Sequence, residues 1–349
     1  MVFLDKRING ICDEMKKYAV RQRVPVEGIC YKEGNFLRPR DAEADGTPFA
    51  PFDSQRMHWY GPDRHYWFRA EITVPESFAG RSLWLHVRTQ IDEWDDAKNP
   101  QFLLFVNDEI VQGMDMNHRE VLLTREAKAG ERYRLDLQAY TGILHTEFNL
   151  IFELREIDPD LEGLYWDLYV PLSAFPRLDP QDTRRMALER VMNDAVNLLD
   201  LRTPYSDAYM DTVRQARAYL QKHLYEELGG HADIIASCIG HTHIDVAWWW
   251  TVAQTREKVA RSFATVLKLM DEYPASSPLF AVFSTISCSS SFIISERTLL
   301  ISAESSTINT FFICDIYSFL ILLRCSSKTY LITVSRSFSL IFKNSPLVS

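Results

Sequence analysis

The stretch from Ile234 to Trp250 restricts the fold more than any other part of the chain. An apolar run, Ile234-Ile235-Ala236-Ser237-Cys238-Ile239, closes on Gly240 and leads into His241, Thr242, His243, Ile244, Asp245 and the tryptophans Trp248, Trp249 and Trp250. A short apolar run bounded by glycine reads as a strand buried on both faces, the habit of parallel sheets. Residues two apart on an extended backbone share a side, so His241, His243 and Asp245 project together from the strand end. Two imidazoles and a carboxylate around one point suit zinc or another divalent transition metal. Strand C-termini are also where parallel α/β proteins carry their sites.

The residues that follow read as a helix. Thr251 with Gln254 has the form of a capping box, Val259, Phe263, Val266 or Leu267, and Met270 make the buried stripe, and Tyr273-Pro274 stops it. Strand, metal loop and helix together are the opening βα unit of a parallel α/β barrel.

A chain of 349 residues is long enough for more than one core. Residues 1–50 form an N-terminal segment, a weakly amphipathic helix with Ile8, Ile11, Met15 and Tyr18 on one face and then an irregular stretch. Residues 51–158 carry short β-rich runs: Trp67 to Val74, Leu83 to Val87, Phe102 to Val106, Glu109 to Gln112, Tyr133 to Ala139 and Glu147 to Leu154. Asn107-Asp108 between two of them is a hairpin signal, and such runs indicate a β-sandwich. Trp59, Tyr60, Trp84 and Trp94 are candidate sugar-stacking residues there, with core packing the commoner use of such rings. Asp115, Asn117 and His118 are expected to form a structural turn, or else to approach the active site from the side.

Residues 159–230 read as a helical connector. Asp179-Pro180 is a start signal for a helix with Leu188, Val191, Met192, Ala195, Leu198 and Leu199 on one face, and Ser206 caps another with Tyr209, Val213, Ala216, Leu220 and Leu224. Residues 231–275 are the barrel start. The fold class expected is therefore α+β and multidomain: N-terminal β-sandwich, helical connector, then an α/β barrel.

A formal charge of −9 argues against a nucleic-acid partner. No N-terminal apolar stretch with a basic flank is present, so the expected location is the cytoplasm, without a membrane partner. The six cysteines include no CxxC pair and read as free thiols.

Gly240-His241-Thr242-His243-Ile244-Asp245-Val246-Ala247-Trp248, then Thr255-Arg256, then Ala260-Arg261-Ser262-Phe263-Ala264-Thr265-Val266-Leu267, resembles the zinc-dependent α-mannosidases of glycoside hydrolase family 38, in the subgroup with bacterial and cytosolic-type enzymes. The resemblance implies a distorted seven-stranded (β/α) barrel, one zinc ion as cofactor, α-mannoside oligosaccharides as substrates and retaining hydrolysis through a covalent glycosyl-enzyme. It implies His243 and Asp245 as zinc ligands and Trp248 as a wall of the sugar subsite. His241 matches the motif but is not implied as a ligand. A homo-oligomeric full-length relative is compatible with it. Two other classes are open: a non-catalytic carbohydrate-binding protein built on the sandwich, and a metal-dependent amidohydrolase, in which HxH also ends the first barrel strand.

From about Ser276 to Ser349 glycine and tryptophan are absent, serine and threonine are frequent, and apolar runs such as Thr310-Phe311-Phe312-Ile313-Cys314 lack turn punctuation. Residues 276–349 are thus expected to be an aberrant, frameshifted tail, with the resemblance ending at Pro274. A membrane span over Tyr317 to Leu323 is excluded by length, since spanning takes about 20 apolar residues. The nucleophile and remaining zinc ligand are expected beyond Pro274 and absent, so the chain as written is expected to be inactive by itself, with weak zinc affinity.

Overall fold

The computed structural model describes residues 2–90, 98–228 and 241–272, together with the backbone of short strands between 283 and 343. Two antiparallel sheets and a separate two-stranded pair are built from β1 (Val20–Pro25), β2 (Cys30–Glu33), β3 (Ala50–Pro51), β4 (Trp59–Tyr60), β5 (His65–Thr73), β6 (Leu83–Arg88), β7 (Gln101–Val106), β8 (Glu109–Met114), β9 (Glu120–Thr124), β10 (Arg132–Tyr140), β11 (Glu147–Phe148) and β12 (Ile151–Ile157). The four-stranded sheet runs β1-β12-β6-β9 and the six-stranded sheet β3-β2-β5-β10-β7-β8, with β11 and β4 paired separately.

Side-chain alternation explains the sandwich. Tyr66, Phe68, Ala70 and Ile72 of β5, Leu135 and Leu137 of β10, and Phe102 and Leu104 of β7 point inward and meet Leu83, Leu85, Phe152 and Leu154 of the other sheet in one core. The intervening Trp67, Leu103 and Phe105 point to the outer face of the six-stranded sheet. Asn107 and Asp108 take positive φ of 50° and 72°, the requirement of a tight hairpin turn between β7 and β8. The run Glu147 to Leu154 divides into β11 and β12 instead of forming one strand. Residues 20–33, expected to be irregular, supply β1 and β2: β1 lies along β12 and β2 along β5. Their alternation is short and mixed with charge, which hid it.

The helices α1 (Val2–Ala19), α3 (Pro159–Ala174), α4 (Thr183–Asn197) and α5 (Asp207–Leu220) enclose a second core, while the short α2 (Pro39–Ala44) lies on the sandwich. Ile8, Ile11 and Met15 of α1 meet Leu161, Leu164 and Leu168 of α3 and Tyr209, Val213 and Leu220 of α5. The N-terminal helix thus belongs to the helical layer. Asp158 caps α3 by accepting from Asp160 N and Leu161 N, with Pro159 at its first turn, and pairs with Arg21 at 2.6 Å. A cap of this kind contributes about 1 kcal/mol. Ser206 caps α5 as expected, accepting from Tyr209 N. The start of α4 differs: Asp182 caps it, and Asp179-Pro180 forms the preceding turn, in which Asp179 accepts from Gln181 N. Two Asx signals three residues apart compete there, and the one nearer the apolar stripe takes the helix.

The third layer is the carrier of the motif. Strand β13 (His241–His243) is followed by α6 (Val252–Glu272) and by β14 (Phe283–Thr285), which pairs in parallel with β13, His241 opposite Phe283 and His243 opposite Thr285. This is a βαβ unit, so β13 has a strand neighbour that the sequence reading did not supply. The apolar run Ile234 to Ile239 lies outside the described residues. Further on, β15 (Phe292–Ile293) pairs with β16 (Leu300–Ile301), and β17 (Asn309–Asp315), β18 (Ser318–Cys325), β19 (Lys328–Ser335) and β20 (Leu340–Lys343) form an antiparallel meander.

Where the three layers meet, Glu162 of α3 faces Glu120 of β9 and Glu272 of α6. Burial, and then the charges of Glu120 and Glu272, push the Glu162 carboxyl up to about 7, with Arg125 opposing. Glu120 is itself held below its ordinary value: its burial is outweighed by His86 and Arg155. A folded-state pKa above the unfolded one means the folded chain keeps the Glu162 proton longer, so this group costs stability as pH rises through the window from about 4.3 to about 7 and costs nothing further above it. Replacing Glu162 by Gln is therefore expected to raise the denaturant midpoint relative to wild type at pH 8 and to leave it nearly unchanged at pH 4, measured by urea unfolding at both values.

Candidate functional site

The site is assembled by the way α6 lies on the sandwich. The stripe expected to be buried, Val259, Phe263, Val266 and Leu267, is only half-buried; the Met270 side chain lies outside the described residues. What α6 buries is largely polar: Gln254, Thr255, Glu257, Arg261, Thr265 and Glu272 beside Ala264. This face meets the outer surface of the six-stranded sheet, where Ala260 and Ala264 pack with Trp67, Leu103 and Phe105. The expectation of an apolar stripe holds for a helix packed on an apolar sheet; here the sheet presents polar partners.

Those partners are specific. His65 Nε2 lies 3.0 Å from Glu257 Oε1 and 2.9 Å from Gln254 Nε2. Arg261 Nη1 donates to Glu257 Oε2 at 3.4 Å, and Thr265 Oγ1 donates to Gly113 O at 3.0 Å. Burial alone would raise the Glu257 carboxyl, but its hydrogen bond and charge contact with His65, and then Arg261, hold it below the usual range. Burial lowers Arg261, with Glu257 opposing. At the far end of the helix Glu272 accepts from Leu122 N at 3.2 Å, and Arg125 donates to the Glu272 carbonyl at 2.9 Å.

Gly113 makes the docking geometrically possible. A Cβ there would lie 2.5 Å from the carbonyl oxygen and 2.8 Å from the Cα of Arg261, both backbone atoms that cannot swing aside. Helix and strand therefore touch main chain to main chain.

The loop between β13 and α6 folds back on itself. Ile244 and Val246 are buried, Trp250 Nε1 donates to the Asp245 carbonyl at 3.1 Å, and the Thr255 hydroxyl donates to the Val246 carbonyl. Thr251 Oγ1 accepts from Gln254 N, the first half of the expected capping box; the Gln254 side chain turns to His65 instead of closing it. This arrangement leaves Asp245 half-buried and Trp248 exposed, at 63% of its surface. Lys258 Nζ sits 4.0 Å above the Trp250 ring.

Asp245, Trp248 and Trp250 line a pocket of about 510 Å³ together with Arg261, Asp115 and His118. The expected structural turn at Asp115 is present: Asp115 Oδ1 accepts from Asn117 N and His118 N, each at 2.8 Å. The same turn also forms one wall of the pocket. His243 and His241 lie on β13, whose side chains are outside the described residues. Among the described residues no group of three His, Cys, Asp or Glu side chains is arranged to hold a metal ion. Zinc usually takes three or four protein ligands; of the expected pair His243 and Asp245, only the Asp245 side chain is among the described residues.

Of the candidate sugar-stacking aromatics, Trp59 is 1% exposed and belongs to the sandwich core, with its Nε1 donating to Asn149 O, and Trp84 is half-buried. Tyr60 is exposed, and Trp94 lies outside the described residues. Among the described residues no helix is long and apolar enough to cross a membrane.

Residues 233–294 match the family model described as the glycosyl hydrolases family 38 N-terminal domain. The chain is similar to the α-mannosidases of that family. Alpha-mannosidase G of Dictyostelium discoideum is 24% identical over 270 residues, covering 71% of this chain and 22% of that protein. Alpha-mannosidase 2C1 of Homo sapiens is 26% identical over 227 residues, covering 60% of this chain and 20% of that protein, and the Saccharomyces cerevisiae alpha-mannosidase is 26% identical over 235 residues. The chain spans about a fifth of the length of these relatives. Among solved structures, a β-glucuronidase of an uncultured Clostridium species aligns at 14% identity with a TM-score of 0.27, covering 40% of this chain and 30% of that one. The family 38 match corrects one expectation: it runs to residue 294 and includes β14, so the likeness does not end at Pro274.

Replacing Gly113 by Ala is expected to lift α6 from the sheet, costing about 1–3 kcal/mol in the local stability of the helix. Amide hydrogen exchange should show residues 254–265 losing protection while the inner strands β5 and β10 keep theirs.

Proposed function

We propose that this chain forms part of a zinc-dependent α-mannosidase that hydrolyses terminal α-mannosides with retention. The observation that carries the reading is the family 38 match over residues 233–294, which contains a motif whose Asp245 and Trp248 line one pocket. In this reading the helical layer of residues 159–230 joins a sandwich, residues 51–158, to a β/α barrel that opens with β13, α6 and β14. The parallel pairing of β13 with β14 supports the barrel, because a crossover helix between parallel strands is its building unit.

His243 and Asp245 would hold the metal, and Trp248 would stack on the apolar face of the mannose ring. Zinc, when bound, supplies a Lewis-acidic anchor for sugar hydroxyls. The protein's own part is positional. The hydrogen bond from Trp250 Nε1 to the Asp245 carbonyl and that from Thr255 to the Val246 carbonyl fix the loop, so the Asp245 carboxylate and the Trp248 ring hold a set separation. Nucleophile and acid catalyst are assigned to no residue, and with two ligands the chain by itself would bind zinc weakly and turn over no substrate. The resemblance of the motif to the cytosolic-type subgroup favours a cytoplasmic enzyme acting on α-mannoside oligosaccharides.

Zinc titration of the purified chain against a chromophoric chelator tests the donor assignment. Asp245→Asn and His243→Ala are each expected to weaken binding by more than about tenfold. Unchanged affinity in either variant removes that residue from the metal site, and zinc-dependent release of an aryl group from an aryl α-mannoside by the chain would overturn its inactivity.

A further inference from the structure

The pocket is larger than Asp245 and Trp248 alone require. Its volume of about 510 Å³ lies within the range of clefts that enclose a whole small molecule, and its second wall comes from the sandwich, 130 residues earlier in the chain when Asp245 is set against Asp115. On that wall Asp115 spends only one of its oxygens on its own turn: Oδ1 accepts from Asn117 N, from His118 N and from His118 Nδ1 at 3.1 Å. Oδ2 takes no part in the turn. A carboxylate clamped through one oxygen presents the other in a fixed direction at little entropic cost.

The floor is Arg261. It is 6% exposed, its Nη1 is engaged by Glu257, and its Nη2 has no hydrogen-bond partner among the described residues. A buried guanidinium donor left unpaired costs on the order of 1–3 kcal/mol, and this one is enclosed by protein, so Arg261 closes the cavity from below. Charges on the lining balance: Asp115 and Asp245 face Arg261 and Lys258. A cavity of no net sign that offers an acceptor, a donor and the Trp248 and Trp250 rings suits a neutral polyol in preference to a phosphate or an ammonium ligand.

We infer that Asp115, His118 and Arg261 form a second sugar subsite beside Asp245 and Trp248, one that holds the sugar linked to the terminal mannose. The inference rests on the α-mannosidase reading and adds the sandwich to the specificity of that site. Asp115 Oδ2 accepts from a hydroxyl of this second sugar, and Arg261, whose Nη2 is enclosed by protein, forms the floor beneath it.

The test is a tryptophan-fluorescence titration of the full chain in the presence of zinc, with methyl α-mannoside and with a panel of α-linked mannobioses. At least one mannobiose is expected to bind about tenfold more tightly than methyl α-mannoside, equivalent to about 1.4 kcal/mol. Asp115→Asn, which keeps the acceptor that the turn needs, and His118→Gln, which leaves the Asp115 carboxylate intact, should each remove most of that advantage without changing methyl α-mannoside binding. Melting curves of both variants show that the turn survives. A disaccharide that binds no more tightly than methyl α-mannoside, or an advantage that persists in both variants, overturns the second subsite while leaving the mannoside reading in place. Failure of every sugar to bind overturns the second subsite, while the metal assignment stands or falls with the zinc titration.

Discussion

The contact between Gly113 and the backbone of Arg261 is the constraint on which the site depends. It brings a helix against the outer face of a sandwich at main-chain distance, closer than any side chain other than hydrogen would permit. Once the two backbones touch, Thr265 reaches the Gly113 carbonyl, Glu257 reaches His65, and the loop ahead of α6 is aimed over β8. The pocket exists because the motif loop and the Asp115 turn are both fixed to this one contact.

The chemistry of that interface is unusual for its burial. Glu257 and Arg261 are both nearly inaccessible, and a buried ion pair seldom adds net stability over an apolar pair of the same volume. What it supplies is register. A helix sliding by one turn along the sheet would leave Glu257 without His65 and Arg261 without Glu257, each a charge stranded in a low-dielectric setting. The polar face therefore selects one seating of α6 among several that a greasy face would accept, and the position of Asp245 relative to Asp115 follows from that selection.

Much of the sandwich was legible in the sequence because period-two alternation and the Asn107-Asp108 turn are local signals. The caps at Ser206 and Thr251 were legible for the same reason. The seating of α6 was not. Its apolar residues Val259, Phe263 and Val266 drew the buried side to the wrong face, although Gln254, Glu257, Arg261 and Thr265 recur at helical spacing and could have been read as a polar stripe with a buried counterpart. No local pattern announces His65 as that counterpart, since the two lie 192 residues apart. Asp115 and His118 were recognisable as a turn, and their place on the pocket wall follows only from tertiary contact. Trp59 was ambiguous by composition alone, because an aromatic ring suits a core and a sugar equally.

The long separation between β5 and α6 also orders events during synthesis. The strands from Val20 to Ile157 can pair among themselves and close their core before Gln254 leaves the ribosome, whereas α6 has no surface to lie on until that core exists. The motif loop is thus among the last parts of the described chain to find its place, and it does so on a template already set. Substitutions that slow closure of the sandwich should therefore appear first as a helix exposed to chaperones and proteases, ahead of any loss in the sheets themselves.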